Sequence, residues 1–182
     1  MNEGEPPATG PQIEERTGSP EDDVAPGEES ARHALATLRA PDPPEMFDGL
    51  VAEGLALLEA GSDLAGAAAL LERAAAIRAD DPELAYALGV IYGGRALERL
   101  RRAQAALFHD ATATEALLAK AIFCYLRAVE LDPREPDPWN NLATLYAVRG
   151  DRELAIEALK RSLQVRPDQP RIRDRLEELG DF

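Results

Sequence analysis

The side chains with the clearest capacity for chemistry are four arginines gathered within residues 95–102: Arg95, Arg99, Arg101 and Arg102. A guanidinium is a fixed positive charge with a fork of donors, so this segment could grip carboxylates or phosphates. Glu98 stands four residues before Arg102, the spacing at which acid and base meet on one helix face. The segment reads as a basic helix face, either solvated or turned toward an acidic partner such as the chain's own N-terminal segment. Groups suited to catalysis are sparse. His33 and His109 are far apart, and Cys124 is the sole cysteine. No thiol–imidazole pair, glycine-rich phosphate loop or metal-ligand cluster is visible, so no enzyme, no metal and no cofactor is expected. Cys124 reads as a buried thiol in a reducing cytoplasm.

Charge narrows the partners further. The chain of 182 residues carries a formal net charge of −14. Residues 1–30 contribute nine acidic side chains against the single base Arg16. A nucleic-acid partner would have to overcome that repulsion, and so would an anionic membrane. No run of about 20 apolar residues exists, so no membrane-spanning helix is expected. Met1–Gly10 has neither a basic start nor an apolar core, which argues against a secretion signal. Arginine outnumbers lysine 18 to 2, a bias of GC-rich genomes, and a bacterial, cytoplasmic protein is expected.

Residues 1–30, rich in Pro, Gly, Glu and Asp, bury too little apolar surface to order and read as a disordered acidic tail. A short helix is expected over Ala31–Arg39, capped by Ser30. Helical spacing then sets Leu50, Gly54, Leu57 and Leu58 inward on a helix from about Pro44 to Glu59. Gly61 should end it and Asp63 should cap the next, whose inner face is Ala67, Leu71, Ala74 and Ile77. Asp81-Pro82 opens a third helix. Leu97, Leu100, Leu107 and Phe108 extend its stripe, and Gly93-Gly94 inside it suggests either a kink or close packing against a neighbour. His109-Asp110-Ala111 would form a tip. Thr112 and Glu115 have the spacing of a capping box for the return helix, with Leu117, Leu118 and Ile122 facing back. Asp137-Pro138 opens a further helix, Gly150-Asp151 turns it, and Pro170 starts a last one covered by Ile172, Leu176 and Leu179.

Two stretches then fall into register. Trp139, Leu142, Ala143 and Tyr146 follow W-x2-L-A-x2-Y, with Ala155, Leu159 and Pro167 after them. Leu88, Gly89 and Tyr92 repeat the first half, and Ala121, Tyr125 and Pro133 repeat the second. The pattern resembles the tetratricopeptide repeat, a helix-turn-helix unit of about 34 residues. The resemblance implies an all-α solenoid over residues 31–182, built of repeats at about 48–81, 82–135 and 136–169 with a capping helix at 170–179. The middle unit is 54 residues long, and lengthening both of its helices accounts for the excess. At about 1.5 Å per residue its hairpin would project roughly 15 Å beyond the others.

The resemblance also implies a use. In the family the first helix of each repeat lines a concave groove that receives another protein or peptide. That places Glu83, Tyr86 and Val90, then Asp137, Asn140 and Thr144, on the binding face, and packs Trp139 between helices. A non-catalytic scaffold is the expected function. Two alternatives stand beside it: a cytoplasmic chaperone resembling those of type III secretion translocators, and a structural subunit self-associating through the long hairpin. Co-chaperones of Hsp70 and Hsp90 clamp a terminal carboxylate with basic residues. The corresponding places here hold Ala52, Ala87, Asp137 and Asn141, so that clamp is missing.

Overall fold

Apolar residues spaced three and four apart call for helices, and the computed structural model, which describes residues 42–104 and 111–180, contains helices and no strand among them. One 3-10 turn, Pro44–Met46, leads into α1 (Phe47–Ala60). Then come α2 (Leu64–Ile77), α3 (Pro82–Gln104), α4 (Ala111–Leu131), α5 (Asp137–Arg149), α6 (Arg152–Val165) and α7 (Pro170–Glu178). They pair as the hairpins α1/α2, α3/α4 and α5/α6, each stacked on the next, with α7 against α6. The acidic tail, the Ala31–Arg39 helix, and Leu107, Phe108, His109 and Asp110 lie outside the described residues.

The turns follow from residue type. Gly61 has φ 61° and donates its N–H to Leu58 O, which closes α1 in a conformation that glycine takes without a side-chain clash. Asp63 accepts from the N–H groups of Ala65 (3.1 Å) and Gly66 (2.8 Å), satisfying donors at the start of α2. Asp81 does the same for Leu84 N–H at 3.0 Å, with Pro82 at the first position of α3. Gly150, at φ 91°, ends α5, and Asp151 N–H reaches back to Tyr146 O.

The middle hairpin is long because both helices are. α3 has 23 residues and α4 has 21, against 14 and 14 in the first hairpin and 13 and 14 in the third. Seven to ten extra residues add roughly 10–15 Å to each. Three details depart from expectation. α4 already includes Ala111 and Thr112, so the Thr112/Glu115 pair lies within its first turn and not at its cap. The cap position of α5 is Pro136, and Asp137 is helical, placing its charge in the first turn, where the helix dipole favours an anion. Trp139 is half-buried against the core instead of enclosed by it.

The core rests on a repeated pairing of small against large residues. A side-chain carbon on Gly54 of α1 would fall 2.7 Å from Leu71 of α2. One on Gly89 of α3 would fall 2.6 Å from the Tyr125 ring of α4. The same register holds Ala143 on α5 and Leu159 on α6, both fully buried. The first two hairpins thus close by letting one large side chain occupy the space that its partner helix leaves vacant. The rigid Tyr125 ring lies too close for an added carbon, so Gly89→Ala forces a shift and overpacking of about 1–3 kcal/mol. That exceeds the gain of about 1 kcal/mol in helix propensity. A urea melt should show a lower midpoint for Gly89→Ala; a higher one would mean that the helices approach less closely than described.

Candidate functional site

α3 and α5 each lean on α4 and pack little against one another, so a furrow runs between them with Tyr125 of α4 at its floor. Two hollows lie along it, joined at Tyr86. One, of about 270 Å³, is lined by Tyr86, Val90, Gly93, Gly94 and Leu97 of α3, Tyr125 of α4, and Asn141, Thr144 and Leu145 of α5. The other, of about 350 Å³, sits at the N-terminal ends of α3 and α5. Its walls carry four carboxylates, Glu83, Asp132, Glu135 and Asp137, around Pro82, Tyr86, Ala128 and Pro138. Arg166 approaches one of them, Glu135, at 3.8 Å with both side chains about half exposed, which neutralises little of that wall. The furrow therefore grades from an acidic mouth to an apolar middle.

Tyr86 is held from two sides. Its ring lies 5.8 Å from that of Tyr125 at an interplanar angle of 53°, within the range of favourable tilted aromatic pairs. Its hydroxyl accepts from Asn141 Nδ2 at 3.4 Å, a long bond. Burial is the first cause that raises its hydroxyl above the usual range; Asp137 and Glu135 push the same way, and the Asn141 bond opposes them.

Of the six residues expected on this face, five border the furrow. Glu83, Tyr86 and Asp137 line the acidic hollow, and Tyr86, Val90 and Thr144 line the apolar one. Asn140 does not. Its amide donates to Gln169 Oε1 at 3.0 Å, and Gln169 in turn donates to Ser162 and Arg166 carbonyls at the start of α7. Asn140 thus ties α5 to the capping helix, and Asn141 takes the furrow position. From Asp137 both asparagines continue a helical row, by steps of three and four or of four and three, so spacing alone does not choose between them. Asp132, Glu135, Leu97 and the two glycines were also missed; Leu97 continues the line 83, 86, 90 at helical spacing and could have been found that way.

Gly93 is buried against Leu145, Tyr125 and Ala121 and fits the packing reading given above, whereas Gly94 is exposed and has no packing neighbour. α3 passes through both as continuous helix. An added side-chain carbon at Gly93 would meet nothing closer than 3.7 Å, and one at Gly94 nothing within 4 Å. Neither has positive φ. Glycine in a helix costs about 1 kcal/mol relative to alanine, and at Gly94 intrachain packing gives no compensation.

The arm arginines do not form one free patch. Arg101 donates to Glu98 at 2.8 Å and Arg102 at 2.6 Å, and these two bonds hold the Glu98 carboxyl down to about 2. Arg99 turns toward α4, with Nε 3.4 Å from Thr114 Oγ1. Arg95 is half-buried near the Tyr92 hydroxyl. Elsewhere on the hairpin, Phe123 is 64% exposed and Leu126 38%.

With this geometry in hand, likenesses to known proteins can be placed. The family model of the tetratricopeptide repeat matches residues 124–157, from the second half of α4 through α5 into α6. No curated protein matches the sequence. Among solved structures, MamA resembles the chain with a TM-score of 0.60 at 19% identity, covering 75% of this chain and 63% of its own. The chain thus spans less than two thirds of MamA. The first repeat domain of Spaghetti (RPAP3), bound to the HSP90 peptide SRMEEVD, gives 0.58 at 14% identity, covering 77% and 94%. The Yersinia enterocolitica type III secretion chaperone SycD, in complex with a peptide of the translocator YopD, gives 0.57 at 14% identity, covering 74% and 92%. At these identities the likeness is one of fold. No helix among the described residues is long and apolar enough to cross a membrane.

Burial lifts the hydroxyls of all four tyrosines, Tyr86, Tyr92, Tyr125 and Tyr146. An unfolded tyrosine releases its proton near pH 10, before the folded one. The associated stability is therefore whole below about pH 10 and is lost as pH climbs through the raised values. Ultraviolet titration of the folded chain should show tyrosinate appearing late, with the thermal midpoint falling over the same range. Ordinary titration near pH 10 with an unchanged midpoint would contradict the packing described for these rings.

Proposed function

The chain is a tetratricopeptide-repeat protein, and from that premise we propose that it is a non-catalytic scaffold holding a segment of another polypeptide in the furrow between α3 and α5. The observation that carries this reading is the joined pair of hollows at Tyr86, one acidic and one apolar, on the two helices that begin the second and third repeats. A bound segment gains from both: apolar burial against Val90, Leu97 and Leu145, and charge complementarity at Glu83 and Asp137. Asn141 supplies polar atoms for its backbone, while the Thr144 hydroxyl is engaged within the chain, donating to Asn140 O at 3.1 Å and accepting from Arg175 Nη1 at 3.3 Å.

The acidic mouth also selects against some partners. A segment ending in acidic residues, like the SRMEEVD peptide bound by the Spaghetti domain, would meet like charge at Glu83, Asp132, Glu135 and Asp137. The segment that fits is basic and apolar. Tyr86 stands at the centre and should behave as an anchor position, so Tyr86→Ala should weaken binding roughly tenfold or more. A photo-crosslinking residue placed at Val90 should capture the partner polypeptide in cells, and Tyr86→Ala should abolish that capture. Equal capture with and without Tyr86 would move the interaction away from the furrow.

A second reading, a self-associating structural subunit, has one observation in its favour. Phe123 and Leu126 lie outward on α4 where the third repeat carries Glu157 and Lys160 in the same register. On that reading light scattering across a concentration series detects a dimer, and Phe123→Glu returns it to a monomer. A monomer at every concentration would remove this reading and leave the furrow as the working surface.

A further inference from the structure

Gly94 of α3 is exposed, has no packing neighbour, and lines the apolar hollow beside the buried Gly93. Glycine is the residue that lets a ligand approach a helix backbone closely. On the strength of the furrow reading above, we infer that Gly94 is a specificity-determining residue. It clears a socket for one large apolar side chain of the bound segment, while a lysine or arginine about five residues away in that segment meets the acidic wall.

The socket has the form this requires. Val90 and Leu97 stand before and after the glycines on α3, Leu145 faces them from α5, and Tyr125 closes the bottom. Between Val90 and Leu97 the exposed Gly94 leaves its side of the hollow without a side chain, and the hollow is about 270 Å³. That falls just below the roughly 300–1,000 Å³ usual for small-molecule sites, so it suits a single large side chain better than a cofactor. Asn141 and Thr144 flank it at the height where the segment's backbone would pass.

Charge identifies the rest of the occupant. The neighbouring hollow brings Glu83, Asp132, Glu135 and Asp137 together, with Tyr86 common to both hollows. Glu83 precedes the centre of the socket by about ten to eleven residues of helix, a rise of roughly 15–17 Å. An extended segment advances about 3.3 Å per residue. Side chains that reach the socket and the acidic wall together are thus about five residues apart. The occupant is a polypeptide segment with a bulky apolar residue and a basic residue at that spacing.

The test is selection of a phage-displayed dodecapeptide library on the full-length chain, run in parallel on wild type, Gly94→Leu and the double variant Glu83→Lys/Asp137→Lys. The thermal midpoint of each is measured alongside. Wild type should enrich peptides with Trp, Phe or Leu about five residues from Lys or Arg. Gly94→Leu fills the socket without touching the core, so it should hold or raise its midpoint, lose the apolar preference, and bind a fluorescent wild-type-selected peptide at least tenfold more weakly. The double variant should lose the basic preference alone. Gly94→Ala should raise the midpoint while weakening the same peptide, a combination that a merely structural glycine would not give. Enrichment whose apolar preference survives Gly94→Leu, or tenfold-tight binding retained by that variant, overturns the socket and leaves the furrow reading standing. Enriched peptides indifferent to both the socket and the acidic wall, or no enrichment over a blank surface, overturn the furrow reading together with it.

Discussion

The first two hairpins of this chain close on one steric rule: a small residue on the first helix admits a large side chain from the second. Gly54 admits Leu71 and Gly89 admits Tyr125 at distances that leave no room for a side-chain carbon. The rule sets how near the paired helices lie. That spacing decides how much apolar surface each pair leaves for the next to cover, which is why the hairpins stack and do not stand alone. α7 finishes the stack with Ile172, Leu176 and Leu179 turned inward and an otherwise charged surface.

Tyr125 links this constraint to the surface. Its ring fills the space at Gly89 and is buried, yet its far side tilts against Tyr86 at the furrow floor. The residue that locks the middle hairpin therefore also shapes the hollow beside it. The long helices α3 and α4 extend the furrow's wall past Leu97, where the other hairpins have already ended. Beyond that point the arm turns polar, and Glu98 gathers Arg101 and Arg102 onto itself. The basic segment that stands out in the sequence is thus partly neutralised within its own helix.

The fold was legible because its rule leaves marks at fixed intervals. Ala67, Ala121 and Ala155 mark the second helices, and Gly54, Gly89 and Ala143 mark the first. Caps at Asp63 and Asp81 and turns at Gly61 and Gly150 were legible for the same reason, since each depends on its own residue and one or two neighbours. The furrow was less so. Asn140 and Asn141 both keep helical register with Asp137, and only the arrival of Gln169 from α7, 29 residues on, removes Asn140 from the surface. Gly93 and Gly94 looked like a kink or a packing contact, because a sequence does not say whether the space a glycine leaves is filled. Asp132 and Glu135 sit in the turn between hairpins, and their meeting with Glu83 is a product of stacking.

The central claim is that the Gly89–Tyr125 contact makes α3 and α4 the most firmly joined elements of the stack. Native-state hydrogen exchange reads this directly, since amides that open only on global unfolding exchange last. Amides over residues 85–92 and 118–129 should be the slowest in the chain, exchanging at the rate of global unfolding. Faster exchange there than in α5 and α6 would contradict the account.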